Sequence, residues 1–137
     1  MKPIFLAIML YGVTLAGKAQ NAPTIIRTYF SGYEKKDWNT TSSQLADGFT
    51  FTSPAPDDHI TLEAYKQRCW PQSEFIKKID LISIVQEGDH AFALYDLTTT
   101  SGKSIRNAEY YTFSNGKIRS IECFFGGSGA GYPTNTH

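Results

Sequence analysis

The hydrophobic and polar positions of this chain follow two rhythms. The clearest two-residue alternation runs from Ile105 to Gly127. Ile105, Asn107, Glu109, Tyr111 and Phe113 share one face of a predicted strand, and Arg106, Ala108, Tyr110 and Thr112 share the other. Ser114-Asn115-Gly116-Lys117 reads as a hairpin turn, because Asn and Gly accept positive φ at low cost. Ile118 to Phe125, rich in β-branched and aromatic residues, forms the next strand. Upstream, Phe75 to Glu87 and His90 to Thr100 read as two more strands around a break at Gly88-Asp89, and Ser101-Gly102-Lys103 is the turn that follows. The front of the chain follows the helical rhythm. Ile25, Ile26, Tyr29, Phe30 and Tyr33 make one apolar stripe on a helix over Ala22 to Lys36, with Pro23 in its first turn. A second short helix opens at Asp37-Trp38-Asn39 and runs to about Leu45. A third is capped by Thr61, presents Leu62, Tyr65, Cys69 and Trp70, and is stopped by Pro71. Between them, Ala46-Asp47-Gly48 reads as a turn, Phe49 to Ser53 as a short strand, and Pro54 to His59 as a loop.

Three helices followed by a four-strand meander predict an α+β fold, with the helices on one face of a curved antiparallel sheet. Such a sheet wraps the first helix and leaves room for an apolar cavity between the two. Which side chains face that cavity depends on hairpin register. A two-residue turn at Gly102-Lys103 pairs Ser101 with Ser104 and sets Asp96 opposite Glu109 on one face. The two carboxylates then form an acid/base pair, since neighbours so close cannot both ionise cheaply. A turn one residue longer sends Asp96 to solvent and leaves Glu109 to a hydroxyl or an arginine. For the last hairpin, a type I turn with Gly116 in a bulge puts Ile121, Cys123 and Phe125 on the Glu109 face. That choice gives an apolar wall.

Composition narrows the function. The formal net charge of zero offers no electrostatic footprint for nucleic acid. Eight Tyr, nine Phe and two Trp suit a core that also lines a cavity. Residues 1 to 19 have the make-up of a signal peptide: Lys2, an apolar run from Ile4 to Ala16 too short to span a bilayer comfortably, and Gly17-Lys18-Ala19 before a cut. A secreted or periplasmic protein follows from that reading, with no membrane partner after cleavage. The domain occupies 22 to 126, and a Gly- and Ser-rich flexible tail occupies 127 to 137. Cys69 and Cys123 are compatible with a disulfide or with two pocket-lining thiols. With three scattered histidines they form no zinc pattern, and neither a metal nor a cofactor is implied.

The order of elements resembles the nuclear transport factor two-like superfamily, the cone-shaped fold of SnoaL-like cyclases and ketosteroid isomerases. The likeness is carried by Ile25-Ile26-Arg27-Thr28-Tyr29, the Lys36-Asp37-Trp38 step, Leu45-Ala46-Asp47 before Phe49, the Ser53-Pro54 strand exit, and Phe113 to Ile118. It implies a Tyr on the first helix and an uncharged acid on a late strand as holders of an enolate oxygen, which fall at Tyr29 and Glu109. The Asp base that the resemblance implies falls on Ser53, and a serine cannot abstract that proton without a partner base. The resemblance therefore argues against ketosteroid isomerisation.

Two functions follow as expectations. One is binding of a small, mainly apolar molecule, with Tyr33, Tyr65, Trp70 and Tyr111 as aromatic wall and Ser53, Cys69, Ile121, Cys123 and Phe125 completing it. The other is a cofactor-independent isomerase, cyclase or lyase in which Glu109 or Asp96 moves the proton and Tyr29 donates a hydrogen bond. An outer sheet face carrying Arg106, Tyr110 and Phe124 also suits a homodimer contact. His59 beside Asp57 and Asp58 reads as a solvated loop before a mouth-side base.

Overall fold

The computed structural model describes residues 21–54 and 56–125; the leader and tail read from the sequence lie outside them. Helix α1 spans Ala22–Lys35. Asn21 caps it by accepting a hydrogen bond from the Thr24 N–H at 3.2 Å, and Pro23 occupies its first turn. The apolar stripe buries Ile26, Tyr29, Phe30 and Tyr33. Lys36 ends the helix in the left-handed region, and Asp37 caps the short α2, Trp38–Ser42. The two helices touch at Gly32, where an added Cβ would sit 2.7 Å from the Thr41 amide nitrogen.

Strand β1 spans Leu45–Thr52, so Ala46-Asp47-Gly48 is an irregular stretch inside a strand rather than a turn. A two-residue strand β2, Ile60–Thr61, pairs back on β1. Helix α3, Leu62–Arg68, starts where Thr61 accepts from the Ala64 N–H at 3.3 Å. Pro71 does not end the helical path. It opens a 3₁₀ turn over Trp70–Phe75, where its missing N–H costs little. Strands β3 (Ile76–Glu87), β4 (His90–Thr99), β5 (Ser104–Ser114) and β6 (Lys117–Phe125) form the meander.

The six strands lie in the order β2-β1-β6-β5-β4-β3. The sheet is mixed, not wholly antiparallel, because β1 runs parallel to β6. The path through α3 and the 3₁₀ turn carries the chain to the far edge, so no hairpin dictates the direction of β1. Extra residues at Lys77, Ile82 and Arg119 interrupt the ladders and bend the sheet. Its concave side receives α1: Phe30 packs on Tyr95 with ring centres 4.7 Å apart, and Tyr29 meets Tyr111 edge-on at 6.5 Å. Ala91 and Ala93, both buried on β4, keep that side shallow enough for the helix.

Candidate functional site

The acid Glu109 sits on the concave face of β5, between Ala93 of β4 and Cys123 of β6. It is 5 % exposed, an uncommon setting for a carboxyl. Tyr95 donates a hydrogen bond to its Oε1 at 2.9 Å, and Tyr111 donates to its Oε2. The Cys123 thiol is a third hydrogen-bond partner. Burial raises the Glu109 pKa above the usual range, while the hydrogen bonds from Tyr111, Tyr95 and Cys123 pull the other way. Asn107, two residues earlier on the same face, donates to the Tyr95 hydroxyl at 3.4 Å.

A second polar group faces it from the helices. The Tyr65 hydroxyl of α3 is hydrogen-bonded to both Tyr29 and Tyr33 of α1. Burial pushes all three phenols well above their ordinary pKa, so none of them is a base at neutral pH. Between the two groups lies a cavity of about 270 Å³. Seven aromatic rings line it, including Phe30, Phe51 and Phe125 as well as the phenols. Its mouth is the loop after β1, where Asp57 accepts from the Ser53 hydroxyl at 3.4 Å and forms an ion pair with Arg68.

Two of the expected groupings are not present. Asp96 is opposite Arg106, not Glu109, and lies on the outer face. Arg106 holds it through two hydrogen bonds of 2.8 Å, which lower its pKa. The reason is the β4–β5 connection. Thr99 and Lys103 pair around a three-residue loop in which Gly102 takes φ +85°, and the Thr99 hydroxyl accepts from the Lys103 N–H. An odd shift of register moves a side chain to the opposite face. The acid/base pair therefore does not exist. Trp70, Tyr111 and Ile121 also do not line the cavity. Trp70 packs against Tyr33 and Trp38, Ile121 is fully buried in the core, and Tyr111 supports Glu109 from below.

The remaining side chains read as site residues, namely Tyr29, Tyr33, Ser53, Tyr65, Cys69, Cys123 and Phe125, all border the cavity. Cys69 and Cys123 are free thiols. Burial raises the Cys69 pKa to about 11, so it is not a ready nucleophile. Sequence reasoning missed Tyr95 and Asn107. The alternation Ala91, Ala93, Tyr95 on one face of β4 was the available signal for Tyr95. Among the described residues, no cluster of His, Cys, Asp and Glu could hold a metal ion.

A cone with helices inside a curved mixed sheet and an acid on its late strand defines a class of pocket proteins. The chain belongs to the SnoaL-like domain family, whose model matches residues 26–121, within the nuclear transport factor two-like superfamily. No curated protein matches it by sequence. Among solved structures, a protein from Kribbella flavida is similar at 20 % identity and a TM-score of 0.68, covering 75 % of this chain and 84 % of its own. A nuclear transport factor two-like protein of unknown function from Cytophaga hutchinsonii is similar at 21 % identity and a TM-score of 0.62, over 76 % and 88 %. A candidate SnoaL-like polyketide cyclase from Jannaschia is similar at 16 % identity and a TM-score of 0.65, over 77 % and 85 %. These likenesses concern the fold alone.

Proposed function

We propose that the domain binds a small, mainly apolar molecule between α1 and the sheet. The observation that carries this is the cavity itself: about 270 Å³, with seven aromatic rings in its wall and polar groups at Glu109, at the Tyr29-Tyr33-Tyr65 hydroxyls and at the Ser53-Asp57 mouth. Concave, mainly apolar sites with a few convergent polar groups are the usual form of a ligand pocket. A thermal-shift screen with hydrophobic ligands tests it. A ligand held at a hundred times its Kd adds about 2.7 kcal/mol to stability. Leu97→Trp, which fills the cavity from β4, should abolish the shift without unfolding the protein; a shift that survives it overturns the proposal.

A second reading, proton transfer by an isomerase, cyclase or lyase, is favoured by Glu109. A buried acid whose pKa is raised by burial, set beside phenols, suits the donor half of such a reaction. The other cavity carboxylate is Asp57 at the mouth, not Asp96. The cyclase-like neighbour makes a cyclisable polycarbonyl compound the first substrate to assay. Glu109→Gln should then lower kcat by about 10²- to 10⁴-fold, and unchanged turnover excludes this role.

The homodimer belongs here as well. Val85, Phe92 and Phe124 are 66 %, 48 % and 51 % exposed and neighbour one another on the outer face with Tyr110 between them. The formal net charge of zero puts no strong repulsion between two copies.

A further inference from the structure

Inside the cavity the charges do not balance. Glu109 receives the Tyr95 and Tyr111 hydroxyls and meets the Cys123 thiol, an arrangement that suits an ionised carboxylate. No lysine, arginine or histidine lines the cavity among the described residues. The guanidinium of Arg68 is outside the lining and bound to Asp57. Among the described residues, the two carboxyl groups that border the space are Glu109 and Asp57, and seven of the other lining side chains are aromatic. Desolvation penalises a buried charge, the hydrogen bonds to Glu109 offset part of that penalty, and a cation in the cavity would offset more of it. Ring faces attract cations, most strongly weakly hydrated ones such as quaternary ammonium groups.

We propose that the ligand of this cavity is a small organic cation, a quaternary or protonated amine with an apolar body, and that Glu109 is its counter-ion. This rests on the cavity being a ligand site and adds the chemical class of the ligand. Burial makes the free protein hold the Glu109 proton more tightly than an exposed carboxyl would. The entering ammonium takes that proton's place, and the proton leaves to bulk solvent. An anionic ligand is disfavoured, because no lysine, arginine or histidine among the described residues lines the cavity to neutralise it. The ionisable groups that face Glu109 are Tyr29 and Tyr33 from α1, Tyr65 from α3, Tyr95 from β4, Tyr111 from β5 and Cys123 from β6. Each is a neutral weak acid, so the proton released on binding comes from Glu109 itself.

Choline and its uncharged carbon counterpart 3,3-dimethyl-1-butanol differ in charge with almost the same shape. Isothermal titration calorimetry of the full chain with both, at pH 5 to 8 and in two buffers of different ionisation enthalpy, tests the proposal. Choline should bind at least about tenfold tighter than the alcohol at pH 8. Its affinity should rise by up to about tenfold per pH unit until Glu109 is ionised in the free protein, with about one proton released per cation bound. Glu109→Gln should bring the ratio of the two affinities to about one while still binding the alcohol, which also reports that the variant is folded. Alcohol binding as tight as choline, or a preference for choline unaffected by Glu109→Gln, overturns the cation and leaves an apolar ligand standing. Binding of neither probe overturns both.

Discussion

At the scale of single residues, Glu109 and Gly32 are the positions where local chemistry and the fold conflict most. Burial favours the protonated form of Glu109, so the folded protein binds this proton more tightly than the unfolded chain does. Its contribution to stability is fully present below the unfolded Glu pKa and is lost as pH rises through the higher folded one. Glu109→Gln, which mimics the protonated acid, should therefore gain stability relative to wild type between pH 4 and 8. Every tenfold by which folding tightens the hold on this proton makes that gain larger by about 1.4 kcal/mol. Thermal melts across that range measure it, and a difference that is flat with pH would exclude the buried-acid account. Gly32 is different. A methyl there meets the Thr41 backbone, which cannot rotate away. Gly32→Ala should cost about 1–3 kcal/mol and lower Tm, although alanine is normally the better helix former. The Asp96–Arg106 pair is partly exposed and on the outer face. Asp96→Asn should leave ligand binding unchanged and alter stability by no more than about 1 kcal/mol.

At the scale of elements, register decides which residues meet, and the last hairpin shows how. Asn115 and Gly116, with φ of 51° and 75°, close a two-residue turn between Ser114 and Lys117. That turn alone would put Ser120, Glu122 and Phe124 on the concave side. The extra residue Arg119 restores Ile121 and Cys123 to it. The expected face is thus reached by a bulge in β6 and not by one at Gly116. Deleting Arg119 should exchange the two faces of β6 beyond it, expose Ile121 and Cys123, and abolish cooperative unfolding by circular dichroism. A deletion variant with a near-wild-type melt would show that the bulge does not fix the register. Both turns were visible in the chain as Gly-containing breaks. Their exact lengths were not, because a three-residue loop ending in Gly102 and a two-residue one differ by little in local energy.

At the scale of the whole molecule, the sheet is covered on its concave side and, among the described residues, bare on the other. Stable pairings bury about 800 Å² per partner, and the exposed Val85, Phe92 and Phe124 form the apolar centre such a contact needs. Sedimentation velocity over a hundredfold concentration range should show a dimer that Phe92→Glu dissociates; a monomer throughout would leave this face without a partner. The three helices, the four-strand meander, the Thr61 cap, the concave and convex faces of β5, and the setting of Glu109 among aromatic residues follow from the chain alone, because caps and two-residue alternation are local signals; the two-residue β2 and the 3₁₀ turn do not. Tertiary structure decided the remainder. It set Asp96 beside Arg106, brought Tyr95 to Glu109, turned β1 parallel to β6, and held Asp57 at the mouth. Each of these depends on loop closure or on packing between segments distant in sequence, where several arrangements have nearly equal local energies and only the assembled core distinguishes them.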